Sequence, residues 1–290
     1  MVTHPMPWNP IIANWLGGIE PAWTLLDQTS LANLRYPPSP GSGPIQLATD
    51  LTREEIEQSA VGRNALILLR FAAKGSGLKM TAMGNLSRAV VAELREHLEW
   101  PGFDQAFHFR LDKVINEADF FPLFFLRNLV QAAGLLRRYK GHLRATPRGR
   151  KMLLEANVRT LLAGLFDVAF WYLDLTYFSW NPYEGWPQRD VGTILWSLSV
   201  AAHDWQSSEQ LTRLCTIPTI DLFDGPYDAT SSALHGQILR PLAWFGLLEQ
   251  KDAVIEAGRV VTPNLYRKTP LFDRFLSFDV KLASPPASRH

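Results

Sequence analysis

Residues 134–146 read Gly134-Leu135-Leu136-Arg137-Arg138-Tyr139-Lys140-Gly141-His142-Leu143-Arg144-Ala145-Thr146. Apolar and polar residues alternate on either side of Lys140-Gly141, the pattern of two short strands joined by a tight turn. Gly134 stands where the preceding apolar helix pattern stops, and a glycine there suits a helix end. Upstream, Thr52-Arg53-Glu54-Glu55 has capping-box spacing and predicts a helix start. Its apolar positions run through Ala65, Leu66, Leu69 and Phe71 to a stop at Gly75-Ser76-Gly77. A second helix is expected over residues 86–98. A third runs to Ala133, after an irregular aromatic stretch and the Phe120-Phe121-Pro122 start. Three helices closed by a hairpin predict a winged form of the helix-turn-helix over residues 51–151.

Gly246-Leu247-Leu248 repeats Gly134-Leu135-Leu136 at a distance of 112 residues, which suggests a second copy of the module. Each copy then meets a Thr-Pro: Thr146-Pro147 with Arg150-Lys151 behind it, and Thr262-Pro263 with Arg267-Lys268. The second module, residues 188–290, is read as helices over 190–202, 208–214 and 230–245 with a wing over 247–262. Between the modules, residues 152–187 include a run apolar on nearly all faces, as a buried connecting helix would be. Residues 1–50 form an arm rich in Trp and Pro, with a linker through Pro37-Pro38-Ser39-Pro40-Gly41 that no helix continues through. Trp8, Trp15 and Trp23 are expected to pack on the body of the protein. The expected fold class is mainly α, of the α+β type, with tandem winged-helix-like modules.

Four stretches in order, Thr81-Ala82-Met83-Gly84-Asn85-Leu86, Asn116-Glu117-Ala118-Asp119, the hairpin from Gly134 to Leu143, and Thr146-Pro147-Arg148-Gly149-Arg150, carry a resemblance. Over residues 55–153 the chain resembles the carboxy-terminal module of the plasmid pRi ORF-three-like family of uncharacterised bacterial proteins. The resemblance implies a fold for about a third of the chain and brings no catalytic residues.

With 47% hydrophobic and 20% charged residues the chain can bury a core without staples. One cysteine, Cys215, excludes an internal disulfide framework and a Cys-rich zinc site, and points to a reducing, cytoplasmic setting. The amino terminus lacks the pattern of a secretory signal. The apolar stretch 160–180 carries Asp167 and Asp174 near its middle, which argues against a membrane span. No phosphate loop is present, and Gly75-Ser76-Gly77 lacks the Lys that would follow. His203-Asp204 could pair a base with a carboxylate, but adjacent helix residues diverge and no nucleophile is marked nearby. Asp221, Asp224 and Asp228 miss the spacing of an EF-hand and read as a loop. No cofactor or metal is expected, and no enzyme activity.

The sharpest feature is charge. Residues 137–151 hold Arg137, Arg138, Lys140, Arg144, Arg148, Arg150 and Lys151 with no acid, so seven of the 29 basic residues sit in fifteen positions. The other 22 face 28 acids, so a net +1 chain is divided into +7 in these fifteen residues and −6 in the rest. Such a wing could hold the phosphates of double-stranded DNA without reading sequence, or be a solvated edge kept from pairing by its charges. Base readout would fall to Ser232, His235 and Gln237 on the third helix of the second module, because residues 120–130 offer only Arg127 and Asn128. Three readings follow: a DNA-associated regulator, a scaffold or homodimer that docks a protein through the aromatic helix at 120–125, and an enzyme with an unrecognised site.

Overall fold

The structure is a computed structural model that describes residues 8–38, 43–110, 114–179, 181–223, 229–256 and 259–283. It is of the α+β class, mostly helical with small antiparallel sheets. Its strands are β1 Ile45–Leu47, β2 Leu78–Lys79, β3 Leu136–Tyr139, β4 His142–Ala145, β5 Gln206–Ser207, β6 Leu248–Lys251, β7 Val254–Glu256, β8 Arg259–Thr262, β9 Leu265–Lys268 and β10 Leu276–Phe278. Two compact units are interleaved along the chain. One, here the basic unit, comprises residues 48–175 and 242–247; the other, the arm unit, comprises 1–47, 176–241 and 248–290.

In the basic unit the capping box forms as its spacing predicts, with the Glu55 N–H donating to Thr52 Oγ1 and the Thr52 N–H to Glu55. The helix it starts ends at Gln58. Ser59 leaves helical geometry, takes the Gly62 N–H on its hydroxyl and starts a new helix, Ala60–Ala73, so the expected single helix is two. After β2 come helices Arg88–Arg95 and Phe121–Ala132, then β3 and β4, in a sheet of order β2-β4-β3. Leu78 lies opposite Leu143, and Leu136 opposite Ala145; all four are buried. Trp100, Phe121 and Phe125 pack on Trp244, with ring centroids 5.1–5.8 Å apart.

The order helix, strand, helix, helix, strand, strand recurs in the second half of the chain. Helix Val191–Ala201 leads to β5, helix Ser208–Cys215, and a helical run from Thr230 that widens through a π turn at His235–Leu239 and ends at Trp244. β6 and β9 close a sheet of order β5-β9-β6. Both third helices end alike: Gly134 has φ 70° and Gly246 φ 75°, and the following Leu135 and Leu247 N–H groups donate to Val130 O (3.1 Å) and Leu242 O (2.9 Å). These are left-handed caps that favour glycine.

The second hairpin is longer than expected. β7 and β8 form a further antiparallel pair between β6 and β9, so the hairpin spans 248–268, and Thr262-Pro263 sits inside it. The true counterpart of Thr146-Pro147 is Thr269-Pro270. Thr146 Oγ1 accepts from Gly149 N (3.0 Å) and Thr269 Oγ1 from Phe272 N (3.3 Å), each capping a helix with proline in its first turn. Where one connecting helix is expected, the structure has short pieces: Glu155–Val158, Leu161–Asp167, a π turn at Val168–Tyr172 and a 3₁₀ turn at Leu175–Phe178. Thr160 breaks the run by donating both its N–H and its hydroxyl to Asn157 O, competing with the regular ladder. No helix among the described residues is long and apolar enough to cross a membrane.

The arm packs within its own unit, as its tryptophans suggest. Trp23 is buried and donates its indole N–H to Thr216 O (2.8 Å), Trp8 meets Trp23 edge-on, and Trp15 lies 5.2 Å from Phe223. β1 pairs with β10, and Asp27 N donates to Lys281 O, so residues 27–47 are stitched to residues 276–281.

One buried ion pair organises the basic unit. Arg127 Nε donates to Glu117 Oε1 at 2.6 Å with both side chains essentially buried, while Leu86 N donates to Glu117 Oε2 at 2.6 Å. Removing one partner leaves a buried charge uncompensated. Arg127→Met is therefore expected to destabilise the protein by about 3–5 kcal/mol. Glu117→Gln combined with Arg127→Met should recover part of that loss, because glutamine still accepts from Leu86. Urea unfolding of the two variants checks it: equal stability of wild type and Arg127→Met would show that the pair contributes nothing.

Candidate functional site

β3 and β4 are joined by the two-residue turn Lys140-Gly141, with φ 47° and 74°, the left-handed pair a tight hairpin turn requires. A lysine in that conformation is disfavoured relative to Asn or Gly, and it places the ammonium at the hairpin tip. The register sets Arg137 directly opposite Arg144 and Tyr139 opposite His142. Leu136, Leu143 and Ala145 are buried, so alternation turns Arg137, Tyr139, His142 and Arg144 to the other face. β2 adds Lys79 to that row, opposite His142.

Like charges placed directly across a sheet are destabilising. Here Tyr139 lies between them, 42% exposed, with Arg137 Cζ, Lys140 Nζ and Arg144 Cζ at 5.5, 5.4 and 5.7 Å from its ring centroid. Cation–π contacts at exposed sites contribute about 0.5–1 kcal/mol each. They hold the cations together without neutralising them. Among the described residues none of Arg137, Arg138, Lys140, Arg144, Arg148, Arg150 and Lys151 forms an ion pair. Arg144 Nη2 donates to Gly75 O (3.1 Å) and Arg150 Nη1 to Ala73 O (3.3 Å), so two guanidiniums are fixed on the end of helix Ala60–Ala73.

The second sheet supplies an internal comparison. At the register position of Arg137/Arg144 it has Glu249 opposite Arg267, an ion pair of 2.6 Å. Lys251 and Arg267 also flank Trp205, at 4.1 and 4.9 Å from its ring centroid. The same topology is thus built with its charges matched in one copy and unmatched in the other.

The residues proposed for base readout fare differently. Ser232 is exposed, but Gln237 is 1% exposed and its amide makes no hydrogen bond, so it cannot reach a base edge and that assignment is corrected. The π turn rotates it inward. His235 is partly buried and its Nδ1 is hydrogen-bonded with the Tyr266 hydroxyl at 2.6 Å; burial, with the Arg240 guanidinium adding to it, pulls the imidazole down to about 4. Arg127 is committed to Glu117, and Asn128 donates to Phe124 O, which removes the first module's two candidates. His203 and Asp204 are both exposed. Asp224 and Asp228 lie outside the described residues, and among the described residues no group of three or more His, Cys, Asp or Glu could hold a metal. Cys215 is fully buried, and burial pushes its thiol up, away from reactivity. Sequence reading missed the Tyr139 hub and the Arg137/Arg144 pairing. The signal was there, because a two-residue turn at 140–141 fixes the register.

Residues 57–159 match the family model described as the Y4jL N-terminal domain. The chain is 34% identical over 97 residues to the uncharacterized protein y4jL of Sinorhizobium fredii (strain NBRC 101917 / NGR234), an alignment covering 33% of this chain and 44% of that protein. The chain thus spans less than half the length of the curated relative it matches. The matched stretch contains the whole basic hairpin. No solved structure matches.

The depressed His235 has a consequence for stability. Between about pH 6.5 and 4 the unfolded chain takes up a proton at this position that the folded chain refuses, so stability is complete above that window and is lost as pH falls through it. The shift corresponds to about 3 kcal/mol. Urea unfolding at about pH 7 and about pH 4.5 should differ by much of that amount in wild type and by clearly less in His235→Gln. An identical pH dependence in the two proteins would contradict it.

Proposed function

We propose that this is a non-enzymatic, nucleic-acid-associated protein built on two winged-helix modules, whose first wing, residues 136–151, holds the phosphates of double-stranded DNA without reading its bases. The module assignment is supported by the order of elements and by the sheet orders β2-β4-β3 and β5-β9-β6. Kinship of residues 55–153 with the plasmid pRi ORF-three-like family belongs to the same proposal and rests on motif order. The observation that carries the functional reading is the like-charge Arg137/Arg144 pair in a wing whose seven cations, four on the hairpin and three on the helix after it, form no ion pair among the described residues. A merely solvated hairpin edge would gain from the Glu/Arg pairing that the second copy uses. An anion brought from outside supplies the missing partner.

Base readout is not part of the proposal, since Gln237 and Arg127 are buried and His235 is engaged with Tyr266. The scaffold reading is favoured less for a related reason. Phe120, and Phe125 and Leu126 of the aromatic helix, are fully buried, and Phe121 and Phe124 are half-buried, which leaves a small aromatic surface for a partner.

Fluorescence anisotropy with a short duplex of random sequence tests this. Affinity should fall steeply between about 50 and 200 mM salt, with a slope of about −0.9 for each phosphate neutralised. Replacing Arg137, Lys140 and Arg148 together by Gln should flatten the slope by about 3 units, and Arg267→Gln in the second hairpin should leave it unchanged. Absence of micromolar binding at about 50 mM salt, or an unchanged slope in the triple variant, would overturn the reading.

A further inference from the structure

Helix Ala60–Ala73 carries a stripe on its surface that neither the core nor the hairpin accounts for. Ile67, Arg70, Phe71 and the capping Lys74 follow the spacing i, i+3, i+4, i+7 and share one face. With His97 and Leu153 they line a groove of about 370 Å³, within the size range of small-molecule sites. The Phe71 and His97 rings are 5.2 Å apart, and Lys74 Nζ stands 5.2 Å from the Phe71 ring centroid. No acidic residue lines the groove, and neither Arg70 nor Lys74 forms an ion pair among the described residues.

The carbonyl end of a helix ordinarily repels an anion. Here two of its last carbonyls are taken, Phe71 O by Lys74 N and Ala73 O by Arg150, and Gly75 O just beyond the helix accepts from Arg144. What remains exposed is an apolar floor with cations at its rim. An uncharged apolar molecule would strip water from those cations and give nothing back. A phosphate backbone would leave the apolar floor unused.

We propose that this groove binds a small molecule with an aromatic or alkyl body and a single carboxylate. The body lies against Ile67, Phe71 and Leu153, and the carboxylate sits between Arg70 and Lys74, with the His97 imidazole able to donate to it. None of the residues that line the groove is one of the seven wing cations.

Calorimetric titration of the full chain with cinnamate tests it, against cinnamamide, which has the same body without the charge, and acetate, which has the charge without the body. Cinnamate should saturate one site per chain, and both comparison compounds should bind at least about tenfold more weakly. Arg70→Gln with Lys74→Gln should weaken cinnamate by about tenfold or more at an unchanged melting temperature, both side chains being exposed. The triple hairpin variant should bind cinnamate like wild type, which separates this site from the duplex surface. No saturable cinnamate binding, equal binding of the amide, or unaltered binding by the Arg70/Lys74 double variant would each overturn the proposal.

Discussion

The salt bridge between Glu117 and Arg127 is the constraint on which the basic unit depends. A buried ion pair is tolerated only when its remaining hydrogen-bonding capacity is used, and Glu117 uses both oxygens, one on Arg127 and one on the Leu86 amide. It thereby ties the turn after β2, the segment before the third helix and the third helix itself. The neighbouring residues extend the knot: Asn116 and Asp119 form a capping box, and Arg88 Nε donates to Asn116 Oδ1. Thr81 and Asn85 close the turn that presents Leu86. The motifs Thr81 to Leu86 and Asn116 to Asp119, which carry the resemblance, are therefore the fastening of the fold. Their oxygens accept from backbone amides and from the Arg88 and Arg127 side chains.

Seen from this fastening, the arginines of Thr146-Pro147-Arg148-Gly149-Arg150 divide from their neighbours. Thr146 caps, Pro147 opens the helix, and Gly149 approaches Leu135 O so closely that a Cβ there would lie 2.2 Å from it. Those three positions are explained by packing and backbone. Among the described residues Arg148 forms no ion pair and Arg150 is fixed by a hydrogen bond to Ala73 O, which leaves its charge unneutralised. The second copy reaches the same topology with Thr269-Pro270 and a Glu249/Arg267 pair. The excess of positive charge is thus an addition to this architecture, not a requirement of it.

Much of the architecture was legible because it rests on local rules. The capping box at Thr52, the hairpin turn at Lys140-Gly141 and the glycine helix ends at 134 and 246 are set by residues within one turn of each other. The failures came where local signals compete or distant ones decide. Thr262-Pro263 resembles a cap, but the insertion of β7 and β8 moves the real one to Thr269. Residues 151–178 are apolar enough for one helix, yet Thr160 diverts a carbonyl and breaks it. Gln237 looks like a surface amide on a helix until a π turn shifts the face it occupies. The basic residues of the candidate site were visible as composition, whereas their unmatched pairing appears only against the second sheet.

That pairing also bears on how a ligand would be approached. The +7 of residues 137–151 stands against −6 over the rest of the chain, so the formal charges nearly cancel at long range. At about 0.1 M salt, charges beyond about 10 Å are screened, and attraction of a polyanion is confined to surfaces where cations are clustered. A uniformly basic protein of the same size would bind a duplex in many orientations. Here the acidic remainder disfavours contact elsewhere, and Arg144 and Arg150 are anchored on the carbonyls of Gly75 and Ala73, which keeps the cluster in place. On the proposed reading, such an arrangement would select an orientation on a phosphate backbone while leaving sequence unread, because backbone contacts position and base contacts specify.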